Sequence, residues 1–196
     1  MKFASLTSDN GCNIVCIDEN TTQSIVQNVK KKAVTYALNN KNADYTAEKI
    51  TLEKNGCPTF DIFNKDRKVL SVSLNVAGDH NICNALGVTA ACEFLGIEPE
   101  YIKSGLEEFR GAKRRFDRLG KTETGVDVVD DYAHHPTEIK TTLETAKKMG
   151  YNNVWVAFQP HTYTRTAAFL EQFASALKTA DRVMITCLLY TSDAAD

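Results

Sequence analysis

Between residues 136 and 185 the hydrophobic period alternates between helix and strand, and this constrains the possible fold more than any other feature of the chain. Pro136 opens a helical pattern that ends at Gly150, and residues 154–158 form a short apolar run. A helix capped by Thr166 then places Phe169, Leu170, Phe173, Ala174 and Leu177 on one face, and residues 183–185 are apolar again. Helices of this length between short apolar strands predict crossover connections and therefore a parallel α/β sheet. Just upstream, residues 116–119 and 126–130 read as a strand, a turn and a strand.

The first part is richer in strands, predicted over residues 12–18, 33–37, 45–52, 59–63 and 69–74, with a polar helix over 21–32. Gly78-Asp79-His80-Asn81 opens a helix in which Cys83, Leu86, Ala90 and Phe94 recur at helical spacing, with Asp79 as its cap and Gly96 as its stop. Pro99 starts another helix that runs to about residue 109. The boundary between the two patterns falls near Gly111-Ala112, which gives domains over residues 1–111 and 112–196.

The charges nearly balance, with a formal net charge of −2, so no basic excess points to nucleic acid or a membrane surface. No apolar run approaches the roughly 20 residues that span a bilayer, and a cytoplasmic address is expected. The six cysteines, Cys12, Cys16, Cys57, Cys83, Cys92 and Cys187, lack CxxC spacing and are expected to be reduced and mostly buried thiols.

The densest chemistry lies in the run Asp130-Asp131-Tyr132-Ala133-His134-His135-Pro136-Thr137-Glu138, where a strand gives way to a helix. Ligands bind at that edge of open α/β sheets. Carboxylates, a phenol and two imidazoles there offer acceptors for hydroxyls or an ammonium group and donors for a carboxylate. The plainer reading is a capped helix start with surface histidines. A second loop, Gln159-Pro160-His161-Thr162-Tyr163-Thr164-Arg165, occupies the corresponding place after the next strand, where Arg165 can grip a carboxylate or phosphate. Asn81 and Asn84, three residues apart near a helix start, can read an adenine edge or simply serve as turn residues. Lys113-Arg114-Arg115 either meets phosphates or is solvated. Gly120-Lys121-Thr122 reads as a hairpin turn and not a phosphate loop, because Arg115 stands where that loop needs glycine and a strand follows instead of a helix.

Taken together, Gly78-Asp79-His80-Asn81 with Asn84-Ala85-Leu86, Arg114-Arg115-Phe116, the Asp130 to Ile139 run and the Phe158 to Thr166 run resemble the Mur ligase family in order and spacing. Within that family the Asp-Asp-Tyr-Ala-His-His-Pro-Thr-Glu string resembles the branch that joins L-alanine to UDP-N-acetylmuramate. The resemblance covers residues 3–186 and implies an α/β chain: a remnant of the central ATP-binding domain, then a truncated Rossmann-like C-terminal domain. It implies ATP and Mg2+ as cofactors, with the phosphate loop and metal ligands expected upstream of Met1, and UDP-N-acetylmuramate and L-alanine as small-molecule partners. It further implies that Asn81 and Asn84 contact adenine and that Arg115 and Asp131 contact the nucleotide phosphate and ribose. Tyr132, His134, His161 and Arg165 would surround the alanine and acyl-phosphate site. No resident metal site is expected within the chain.

Residues 187–196 depart from the pattern, and Thr162 stands where some members carry arginine. The chain alone is expected to be inactive as a ligase. A non-catalytic α/β nucleotide-binding or scaffold module is the alternative. A metal-dependent hydrolase built on Asp131, His134, His135 and His161 is a weaker third reading, because adjacent histidines rarely face one ion.

Overall fold

The computed structural model describes residues 2–18, 20–28 and 31–186, so the predicted departure over residues 187–196 lies outside the described residues. Two units divide the chain, with the boundary between Arg110 and Gly111.

In the first unit, α1 (Lys2–Ser5), a short helix the sequence pattern did not signal, precedes β1 (Asn13–Cys16), α2 (Asn20–Asn28) and β2 (Ala33–Tyr36). There follow β3 (Tyr45–Leu52), β4 (Pro58–Asn64), β5 (Arg67–Ser73), α3 (Asp79–Phe94) and α4 (Pro99–Glu108). The five strands form one sheet in sequence order. β1, β2 and β3 run parallel, whereas β3, β4 and β5 form an antiparallel meander. The link from β1 to β2 has room for a helical crossover, and the tight links after β3 and β4 allow only reversal, while β2 and β3 meet in parallel at the single pair Tyr36 and Tyr45.

Helix α3 lies against β1, β2, β3 and β4. It buries Ile82, Ala85, Leu86, Thr89 and Ala90, and its apolar side chains share a core with Phe60, Ile62 and Val72. Phe60 and Leu86 are 1% and 0% exposed, and burying a side chain of that size contributes about 1.5–3 kcal/mol. Gly87 keeps its place within the helix because a Cβ there would come within 3.0 Å of Cζ of Tyr36 on β2. At the far end Gly96, at φ 77°, turns the chain, its N–H donating to Glu93 O while Ile97 N–H donates to Cys92 O. The expected cap at Asp79 is corrected: Gly78 is the N-cap and Asp79 is the first helical residue.

The second unit contains β6 (Asp117–Lys121), β7 (Asp127–Asp130), α5 (Pro136–Lys148), β8 (Trp155–Phe158), α6 (Tyr163–Ala168), α7 (Leu170–Leu177) and β9 (Arg182–Ile185). The parallel sheet expected here is found for β8 and β9, joined through α6 and α7. β7 instead pairs with β6 in an antiparallel hairpin that forms its own two-stranded sheet. The hairpin turn lies at residues 122–125, where Gly125 N–H donates to Thr122 O, while Gly120 and Lys121 belong to β6. The core is the packing of Ile139 and Leu143 of α5 with Phe173, Ala176 and Leu177 of α7 and Phe158 of β8.

The helix expected to begin at Thr166 begins at Tyr163, with Thr162 as N-cap. Thr166 lies inside it, its hydroxyl donating to Thr162 O at 2.7 Å, the back-bonding of a mid-helix threonine rather than a cap. Phe169, at φ −119° and ψ 24°, breaks the run into two helices. The break turns Leu170 out to 59% exposure, away from the expected apolar face.

Candidate active site

The loop between β7 and α5 is shaped by a reciprocal cap. His135 is the N-cap of α5, its side chain accepting from Thr137 N–H, and Pro136 occupies the first helical turn. Glu138 turns back, and its Oε2 accepts from the N–H groups of His134 and His135 at 3.0 and 3.2 Å. Burial would raise the Glu138 pKa, but these two N–H groups, His134 and Arg115 outweigh it and hold the carboxyl below the usual range.

With its backbone held, the His134 ring is aimed by a second bond, Nδ1 lying 2.9 Å from Tyr132 O. A carbonyl only accepts, so Nδ1 carries a proton, and in the neutral tautomer Nε2 is the acceptor. The Tyr132 and His134 rings meet edge to face at 5.1 Å between centroids. His161, from the loop after β8, lies 6.3 Å from Tyr132 and 6.4 Å from His134. A phenol and two imidazoles thus gather where β7 and β8 end, a set able to donate to a carboxylate and to pass a proton.

Beneath them, Arg114 lies 4.5 Å over the Tyr132 ring, with its Nε 3.5 Å from Asp130 Oδ2. Arg115 pairs with Glu138 at 3.5 Å. Arg114 and Phe116 adopt φ of 59° and 48°, unusual for residues with a Cβ. What holds them is Asp131: its Oδ2 accepts from Phe116 N–H and Thr142 Oγ1, both at 3.0 Å, and its Oδ1 accepts from Ala133 N–H at 2.8 Å. Tyr132 N–H closes the arrangement on Arg114 O at 2.8 Å. The sequence run marked Asp131 and Arg115 as ligand groups, and their visible work is to brace this loop. Arg114, named from the sequence only as one of a run of cations that meets phosphates or is solvated, lies instead over the Tyr132 ring. The signal was an Arg-Arg pair one hairpin away from a tyrosine, but register decides which arginine stacks.

The other candidates are placed as follows. Arg165 is half-buried within the first turn of α6, not in the preceding loop, and its guanidinium has no hydrogen bond or ion pair among the described residues. Asn81 and Asn84 lie on one face of α3, with Asn84 Nδ2 donating to Asn81 Oδ1 at 3.3 Å. Both line a cleft of about 600 Å³ whose other walls include Val88, Tyr101 and Phe109. The hydrolase reading fails on geometry: His135 is spent on the cap and on an edge contact with Phe169, and Asp131 on the brace. Among the described residues the group that could hold a metal is Cys16, Asp18 and Cys83. The cysteines are free thiols, yet the expectation that most are buried is corrected: Cys57 is buried, Cys12, Cys16, Cys83 and Cys92 are half-buried, and Cys187 lies outside the described residues.

Residues 1–92 match the Mur ligase middle domain, and residues 114–196 match the Mur ligase glutamate ligase domain. The chain belongs to the Mur ligase family. It is 45% identical over 186 residues to a UDP-N-acetylmuramate–L-alanine ligase of Acetivibrio thermocellus, a match covering 95% of this chain and 39% of that one. It thus spans about two fifths of the length of the curated relatives it matches. Among solved structures, the UDP-N-acetylmuramate–alanine ligase MurC of Thermotoga maritima is 35% identical with a TM-score of 0.67, over 80% of this chain and 34% of that one. MurF of Acinetobacter baumannii shares the fold at 22% identity with a TM-score of 0.73, over 95% of this chain and 44% of that one. Among the described residues no helix is long and apolar enough to cross a membrane.

Proposed function

We propose that these residues supply part of the nucleotide site and most of the amino-acid site of an ATP-dependent cytoplasmic ligase that joins L-alanine to UDP-N-acetylmuramate through an acyl phosphate. The observation that carries the reading is the convergence of Tyr132, His134 and His161. These three, with Arg165, surround the alanine and the acyl phosphate. His134 Nε2 accepts from the incoming amine, and Arg165, unpaired among the described residues, offers a cation to a carboxylate or phosphate oxygen. Kinship at 45% identity with alanine-adding ligases supports that choice of amino acid.

The cleft bearing Asn81 and Asn84 suits adenine, since apolar walls with two amide groups at the rim combine contact area with edge recognition. Arg115 and Asp131, in the second unit, are assigned to nucleotide phosphate and ribose by the family resemblance alone, with Asp131 acting mainly as the brace described above. Magnesium fits poorly here: the three-ligand group contains two thiols, and Mg2+ takes oxygen ligands.

The test is a chimera in which the 186 matched residues replace their counterparts in the Acetivibrio thermocellus relative. It should release ADP only with UDP-N-acetylmuramate, Mg-ATP and an amino acid all present, and should prefer L-alanine. Equal turnover with D-glutamate, or ATP hydrolysis without the sugar substrate, would overturn the reading.

A further inference from the structure

At the carboxyl end of β1, Cys16 Sγ lies 3.6 Å from Sγ of Cys83 on α3, and Cys83 Sγ lies 3.9 Å from Asp18 Oδ2. The three ligand atoms all fall within 4.8 Å of one another on half-buried residues. β1 runs parallel to β2, and the carboxyl ends of parallel strands are where α/β sheets collect ligands. We propose that Cys16, Asp18 and Cys83 form a binding site for a thiophilic divalent cation, with zinc(II) as the representative ion.

The spacing fits such an ion. At the usual Zn–S distance of about 2.3 Å, sulfurs this far apart subtend an angle of roughly 100° at the metal, close to tetrahedral. With Zn–O at about 2.1 Å, the Cys83–metal–Asp18 angle is roughly 125°, and Cys16 Sγ and the Asp18 oxygen, within 4.8 Å, need only close inside the roughly 4.4 Å their two bonds span for three ligands and one water to make a four-coordinate shell.

The carboxylate is also held in advance. Asp18 Oδ1 accepts from Asn39 and Asn40 N–H at 2.8 and 3.1 Å, and Oδ2 accepts from Leu38 N–H at 2.8 Å. Three of its roughly four lone-pair directions are used, which fixes the group and leaves one on Oδ2, the oxygen nearest Cys83. Two sulfurs and one oxygen select zinc, cadmium or cobalt over magnesium or calcium. Binding is a simple exchange: the cation displaces one proton from each thiol to solvent, two metal–thiolate bonds form, and no oxidation state changes. The site lies wholly in the first unit and does not depend on which amino acid the ligase adds.

The test is titration of the reduced 196-residue chain with cobalt(II). One equivalent should produce a thiolate-to-cobalt charge-transfer band that zinc(II) abolishes. Cys16→Ser and Cys83→Ser should each remove most of the band, Asp18→Asn should weaken binding at least tenfold, and Cys57→Ser and Cys92→Ser should change nothing. Zinc(II) should also protect Cys16 and Cys83, but not Cys92, from alkylation in the unmutated chain, a measurement that no folding defect can confuse. A band that survives both serine changes, an Asp18→Asn variant of unchanged affinity, or equal alkylation of all three cysteines with and without zinc(II) would overturn the site.

Discussion

The two units are held together in different ways. In the first, a five-stranded sheet lies under α3, and Phe60, Ile62, Val72 and Leu86 are sealed between them. In the second, the strands form two separate pairs, a smaller core lies among α5, α7 and β8, and Trp155, Val183, Met184 and Ile185 on β8 and β9 are 43–71% exposed. Polar fastenings hold its loops. Asp181 accepts from Val154 N–H and pairs with Lys147 at the start of β8, and Asp131 and Glu138 tie down the loop that carries Tyr132 and His134. The candidate catalytic groups thus sit on the unit with the smaller core, in a loop held by hydrogen bonds. A site fixed by directional bonds is positioned precisely but loses its geometry when one acceptor is removed.

The comparison is broken most readily by truncating the cores. Phe60→Ala should destabilise the first unit by about 3–5 kcal/mol, whereas Phe173→Ala, in the smaller core, should fall at or below the low end of that range. Denaturant titration of both variants measures this, and equal losses would mean the units are packed alike. Next, Asp131→Ala removes the acceptor of three donors and should cost about 1–3 kcal/mol, with the loss confined to the second unit. Hydrogen exchange should show the amides of Phe116 and Ala133 opening while those of β4 stay protected.

Glu138→Ala dissolves the capping box and should cost about 1 kcal/mol. Because the Glu138 carboxyl is held below its ordinary value, its contribution is present above the unfolded pKa of about 4.3 and is lost as pH falls through the folded value. The smallest effect belongs to Asp61 in the first unit, where hydrogen bonds from Lys68 and Ser71 hold the carboxyl at about 2. Its stabilisation should fade only as pH falls from about 4 to about 2, and Asp61→Asn should flatten that part of the acid titration. A titration in which Asp61→Asn leaves that limb unaltered would remove the ion pair from the account.

Periodicity made most strands and helices of the first unit legible, as in β5 with its alternation of exposed and buried residues and α4 with Ile102 buried, but not the short α1. It failed where partners, not period, decide. Nothing in residues 126–130 says that β7 pairs with β6 and not with β8, and no local signal announces the break at Phe169. In the candidate site, the side-chain types of Tyr132, His134 and His161 were readable from their place at strand ends. The left-handed turns at Arg114 and Phe116 were not, since both residue types ordinarily avoid that conformation. The Cys16–Asp18–Cys83 group joins residues more than sixty positions apart and appears only once α3 is laid on β1.

The most direct test of the account is the effect of His134→Ala on the rate of L-alanine-dependent ADP release in the chimera with the Acetivibrio thermocellus relative. If His134 is aimed at the reacting groups, losing a positioned partner worth about 1.5–3 kcal/mol should slow turnover more than tenfold. The unfolding midpoint should stay in place, because the cap of α5 is formed by His135 and Glu138 rather than by the His134 ring. A rate within twofold of the unmutated chimera would show that the loop is structural and would contradict the assignment of the site.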